Sequence, residues 1–137
     1  MQGMLVTAPA FEHDLTIPAD LARIAEAREW AAQAAERFGL AEDEQFQIKL
    51  AMSEAVTNAI VHGSGSGRDA VELGVREEQD LLVFEVRDSG ANGDGHVERL
   101  HDGGRGLELV SLMMDEVELD QGEQGSVLRF AKHRSAA

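Results

Sequence analysis

Hydrophobic positions recur every three or four residues in the first half of the chain and every second residue in much of the rest. Leu21, Ile24, Arg28, Ala31, Ala35 and Phe38 follow the first pattern, which predicts a helix over residues 19–38, opened by Pro18. Arg28 is the only charge in that stripe and is expected at its edge. Gly39 followed by Leu40 fits a glycine cap at the helix end. A second helix is predicted over residues 42–62. Glu42, Asp43 and Glu44 lie in its first turn, where the helix dipole favours acid, and Ile48, Met52, Ala55, Val56 and Ala59 form its core stripe. Gly63 to Gly67 ends it.

Alternation marks the strands. Phe11, Leu15 and Ile17 predict a short first strand after a loose terminus of ten residues. Val71, Leu73 and Val75 predict a half-buried strand, and residues 81–87 a more apolar one, with the polar turn 77–80 between them. Residues 88–104 are polar and rich in glycine, without a clear period. A long loop of this kind inside a compact domain is commonly a functional one. A helix is predicted from about Arg105 to Met114, then strands near 116–120 and 126–132 around a turn at 121–125. The order predicts an α+β fold. It is a two-layer sandwich with a mixed, mostly antiparallel sheet and helices on one face. A single domain over residues 1–137, with its core at about 11–132, is expected.

Composition narrows the function. The chain carries 26 acidic and 12 basic residues, a formal net charge of -14. Nucleic-acid phosphates repel such a surface, so direct nucleic-acid binding is not expected. A basic protein partner is favoured, although acid can also serve solubility alone. The absence of cysteine rules out disulfides and thiol catalysis. No signal peptide and no apolar run near the ~20 residues that span a bilayer can be read, so a cytoplasmic protein away from the membrane is expected.

The candidate chemistry starts on the second predicted helix. At about 100° per residue, Glu54, Asn58 and His62 fall on one line beside the core stripe. Ala51 and Ala55 beside that line leave room for a ligand to approach. A carboxylate there can take a proton from a hydroxyl, and an amide oxygen can join a Mg²⁺ shell. The same residues also suit an ordinary polar helix face. Asp88, at a strand end before Ser89 and Gly90, can accept a hydrogen bond from a ligand amine, or simply make a turn. Gly103-Gly104-Arg105-Gly106-Leu107 opens a helix, where free N–H groups and the dipole attract phosphate; a flexible cap is the alternative. Gly63 to Gly67 follows a helix rather than a strand, which argues against a dinucleotide loop. His96, His101 and Asp102 form a lesser metal candidate, without cysteine support.

Taken in order, these segments resemble a known family. Ser53 to Gly63 (SEAVTNAIVHG) resembles the N box of the GHKL ATPase and kinase superfamily, most closely its stand-alone anti-sigma-factor serine/threonine kinases. Asp88-Ser89-Gly90 resembles the first glycine box, and Gly103 to Leu107 the second. Gly125-Ser126-Val127 is similar to a late G-[TS]-x-V element, and the resemblance spans about residues 11–132. It implies a Bergerat-type sandwich that binds ATP with Mg²⁺. By the same resemblance Glu54 is the general base, Asn58 the Mg²⁺ ligand, and Asp88 the partner of the adenine amine. Gly90, Gly104 and Gly106 line the nucleotide, with His62, Arg105 and Leu107 beside it. Ser126 holds the adenine end and residues 91–103 form a lid. The implied partners are a sigma factor and a STAS-domain anti-anti-sigma protein, phosphorylated on serine; a homodimer is common in the family.

The sequence departs from the pattern in two places. The usual first glycine box is D-x-G-x-G, and Asn92 stands where its second glycine falls, with Gly93 one residue late. Ser126 replaces the commoner threonine and keeps the hydroxyl. The Asn92 departure motivates an alternative, a catalytically silent binding module that sequesters a transcription regulator. A second alternative is a histidine-kinase catalytic domain; no helical segment with a phospho-accepting His is read.

Overall fold

A computed structural model describes residues 13–63, 70–88, 105–122 and 125–134. Its five strands are β1 (His13–Pro18), β2 (Ala70–Glu78), β3 (Leu81–Asp88), β4 (Glu116–Gly122) and β5 (Gly125–His133). They form one sheet in the order β1-β2-β3-β5-β4. All four ladders are antiparallel, so the parallel pairing of the expected mixed sheet does not occur among the described strands. Among the described residues three α-helices accompany the sheet: α1 (Ile24–Phe38), α2 (Glu42–Asn58) and α3 (Arg105–Met113).

The core lies between the sheet and the helices. On β2 and β3 the alternating set Val71, Leu73, Val75, Leu82, Phe84 and Val86 faces the helices. Phe84 stacks on Phe130 of β5 at 5.4 Å between ring centroids, and Trp30 of α1 meets Phe84 edge-on at 6.1 Å. On the sheet's other face Glu85 is buried beneath two arginines. It accepts from Arg87 at 2.8 Å and from Arg129 at 2.9 Å, and Arg129 also reaches Glu118.

The start of the first helix differs from expectation. Pro18 closes β1, paired with Ala70, and does not open the helix. An edge strand tolerates proline because its missing N–H leaves no gap in the ladder. Asp20 is the cap instead. Its side chain accepts the Ala22 N–H at 3.0 Å and starts a 3-10 turn over Leu21–Arg23. The buried stripe of α1 is therefore Ala27, Ala31, Ala34, Ala35 and Phe38, while Leu21 and Arg28 are exposed. Small residues let α1 and α2 approach closely.

The end of α1 follows the glycine-cap pattern. Gly39 has φ 98°, and both its N–H and that of Leu40 return to the Ala35 carbonyl. Arg134 packs over this turn, its guanidinium 4.1 Å from the Phe38 ring centre. A Cβ at position 39 would sit 3.8 Å from Arg134, an ordinary contact, so only the backbone conformation resists substitution. Gly39→Ala is expected to lower unfolding free energy by about 1 kcal/mol, read by urea denaturation. An unchanged midpoint would show that the turn relaxes out of the left-handed region.

Candidate functional site

Three chain segments arrive at one end of the sheet. The turn between α1 and α2 sits at the far end of β5, under Arg134. From there α2 runs 17 residues, about 25 Å at 1.5 Å per residue, and ends at Asn58. The chain returns to the sheet at Ala70, and Val71 lies opposite Asp88, so Asn58 is delivered to the Asp88 end. The turn after Asn58 packs on β3 and β5. The third segment is α3. Its last turn is tied to the far end of β5, where Lys132 Nζ donates to the Met113 carbonyl at 2.7 Å. Packed on α2 and running the other way, it has its N-terminus toward the Asp88 end.

Glu54 and Asn58 are both half-buried. Lys49 pairs with Glu29 of α1 at 3.6 Å, which fixes the flank of α2 that faces α1. Glu54 and Asn58 lie about 140° and 180° round the helix from Lys49. They therefore occupy the opposite flank, the side of α3. Ala51 and Ala55 do not leave the open floor expected beside them. Both are fully buried, at 0% and 2% exposure, filled in by the core. Alanine here serves close packing.

Asp88 is 7% exposed, a buried carboxylate at the last position of β3. Its register partner Val71 belongs to the core, so Asp88 faces the helix layer. Ser126 stands opposite it on β5 and donates its backbone N–H to Asp88 Oδ1 at 3.4 Å. A carboxylate offers acceptor sites on both of its oxygens, the chemistry that a ligand amine needs. The structure thus joins Asp88 and Ser126 directly and places the Glu54–Asn58 flank at the same end.

α2 ends at Asn58, and the chain widens into a π turn over Ala59–Gly63, which includes the backbone of His62. The His62 side chain, and those of Arg105, Gly106 and Leu107 in the first turn of α3, are outside what the structure describes. Gly90, Gly104, Asn92, the segment 91–103 and the candidates His96, His101 and Asp102 likewise lie outside the described residues.

Among the described residues no group of three or more His, Cys, Asp or Glu is placed to hold a metal ion. A single amide at Asn58 fits a Mg²⁺ that keeps waters and takes its other oxygens from phosphates, the usual habit of that ion. No helix among them is long and apolar enough to cross a membrane.

Sequence reading passed over Phe46 and Leu50. They stand eight and four residues before Glu54, off the core stripe, and are 59% and 41% exposed. The signal was the spacing itself: two large apolar residues on the ridge that carries the polar ones.

A family model described as "Histidine kinase-like ATPase domain" matches residues 17–132. The chain is 33% identical over 106 residues to an anti-sigma F factor of Bacillus licheniformis, with 68% of this chain and 72% of that protein covered. It is 30% identical over 135 residues to the serine-protein kinase RsbW of Bacillus velezensis, with 88% and 84% covered. A solved structure of the RsbU and RsbW domains of Rv1364c from Mycobacterium tuberculosis matches with a TM-score of 0.70 at 18% identity. That match covers 91% of this chain and 33% of the other. The histidine kinase domain of Erythrobacter litoralis EL346 matches with a TM-score of 0.57 at 19% identity, covering 93% and 65%. At such identities the two structures speak to the fold alone.

Proposed function

The chain belongs to the histidine kinase-like ATPase family, alongside its anti-sigma-factor serine kinases, and from that premise we propose an ATP-dependent protein-serine kinase that is also an anti-sigma factor. It holds a sigma factor, and it phosphorylates a serine on a STAS-domain anti-anti-sigma protein. The observation that carries this reading is the buried Asp88 carboxylate, held by Ser126 at the end of the sheet where α2 delivers Asn58. A buried acceptor at a strand end, beside a helix carrying a carboxylate and an amide, has the chemistry of a purine site next to a phosphate site.

Mg-ATP supplies the phosphoryl group. Asp88 accepts from the adenine amine, and Ser126 supports it through the bond to Oδ1. Asn58 offers its amide oxygen to Mg²⁺. Glu54, one turn earlier, takes the proton from the attacking serine hydroxyl, which makes the oxygen a better nucleophile. The first turn of α3 directs backbone N–H groups and Arg105 at the phosphates, the standard use of a helix N-terminus. Gly90, Gly104 and Gly106 let the backbone come close to the nucleotide, with His62 and Leu107 beside it, and residues 91–103 cover it. One nucleotide-binding domain in a cytoplasmic protein is the corresponding organisation, with a homodimer as its assembly. The net charge of -14 suits a basic sigma-factor surface.

The second reading, a silent binding module, rests on Asn92 in place of the second glycine of the first box. Intact-mass measurement separates the two. After incubation with the chain and Mg-ATP, an unphosphorylated STAS-domain protein from the same genome is expected to gain one phosphate. A partner that binds but keeps its mass favours the silent module.

A further inference from the structure

Phe46, Leu50, Glu54 and Asn58 share one ridge of α2. Each step of four residues advances the helix by about 6 Å and closes slightly more than one revolution, so these side chains follow one another along the surface. The half toward the C-terminus carries the proposed base and Mg²⁺ ligand. The other half is an apolar pair left in solvent, Phe46 at 59% and Leu50 at 41% exposure. The core stripe Ile48, Met52 and Ala55 is spent on the other side of the helix. An exposed phenylalanine and leucine one turn apart have the make-up of an interface anchor.

We propose that Phe46 and Leu50 dock the protein whose serine is phosphorylated; this rests on the kinase reading above. The acceptor hydroxyl must come within hydrogen-bond reach of the Glu54 carboxylate. Leu50 and Phe46 lie about 6 Å and 12 Å from Glu54 along the helix axis. One side of a standard protein interface covers about 800 Å², a patch some 28 Å across. A protein whose contact patch is centred where it presents serine to Glu54 therefore reaches both residues, whereas a nucleotide or a small hydroxyl compound would leave them bare. A sigma factor has no group that must reach Glu54. The rim of the patch is acidic: Glu42 and Asp43 are exposed in the first turn of α2, and the nearby cation Lys49 is engaged by Glu29. The complementary surface on the acceptor protein has an apolar centre and a basic edge.

Phe46→Ala, Leu50→Ala and Phe46→Asp test this, with an unphosphorylated STAS-domain protein from the same genome as the probe. Because both positions are exposed, thermal midpoint and Mg-ATP affinity are expected to stay at parental values. The KM for the STAS protein is expected to rise by about tenfold or more, the usual cost of losing an interface anchor, with kcat little changed. An unchanged KM overturns the proposal. So does a matching loss of ATP affinity or of thermal midpoint, which would assign the residues to the fold. Loss of sigma-factor binding with STAS binding intact overturns it as well. If the parent chain transfers no phosphate, the kinase reading fails separately, and calorimetric binding of the same STAS protein decides the docking surface. Binding by the parent that Phe46→Asp removes upholds it; equal binding by both, or none by the parent, overturns it.

Discussion

Glu54→Ala is expected to lower phosphoryl transfer to the partner serine by about 10²- to 10⁴-fold, the usual contribution of a positioned general base. The chain should still fold and still bind Mg-ATP. Both halves of that expectation come from position. Glu54 is half-buried on the α2 flank away from α1, outside the buried stripe formed by Ile48, Ala51, Met52, Ala55 and Val56. Alanine there removes a carboxylate and opens no cavity in the core. The nucleotide contacts proposed for Asp88 and Asn58 do not pass through it. Transfer measured at saturating Mg-ATP and saturating partner isolates the chemical step, because affinity differences then drop out. Glu54→Gln keeps the shape and removes only the basic group, so it should be about as slow. Normal transfer by either variant would remove Glu54 from the mechanism.

Asp88→Ala has the second large effect. The carboxylate is 7% exposed and accepts the Ser126 N–H. Removing it strands that donor and takes away the acceptor proposed for the adenine amine. A hydrogen bond to a charged group contributes about 1.5–3 kcal/mol, so ATP affinity should fall by about 10- to 150-fold. Asp88→Asn sharpens the test. One amide oxygen can still serve Ser126, but the position facing the ligand becomes an N–H₂ opposed to the adenine amine. Asp88→Asn should therefore bind ATP as poorly as Asp88→Ala while keeping more stability. Equal affinity in parent and Asp88→Asn would place the adenine elsewhere.

Much of the architecture could be read from the residues because period and burial agree. On β2 and β3 the alternating apolar positions are the core positions, and on α2 the stripe from Ile48 to Ala59 is buried as its spacing predicts. The reading went astray where local chemistry competed with period. Pro18 suits a helix start, but the Asp20 side chain offered a better cap two residues later, and Pro18 stayed in the edge strand. Leu21 fits a helical period yet lies in the 3-10 turn, 53% exposed, because the regular helix has not begun. The small size of Ala51 and Ala55 suggests room for a ligand, but their burial at 0% and 2% exposure shows close packing instead.

The candidate site was legible in part. Asp88 and Ser126 are 38 residues apart, and nothing in their spacing announces a bond; it arises because β5 pairs with β3 rather than stopping at its hairpin with β4. The spacing from Glu54 to His62 supposes one α-helix over residues 42–62, whereas the α-helix ends at Asn58 and gives way to a π turn at Ala59–Gly63. The exposed pair Phe46 and Leu50 was visible as spacing, but its exposure depends on which side of α2 the other helices take.

One measurement bears most directly on the claim that Glu54, Asn58, Asp88 and Ser126 make a nucleotide site: calorimetric titration of Mg-ATP into the parent chain and into Asp88→Asn. Saturable binding of one nucleotide per chain by the parent, reduced at least about tenfold in Asp88→Asn, is the predicted result. No heat from the parent at high nucleotide concentration would contradict it.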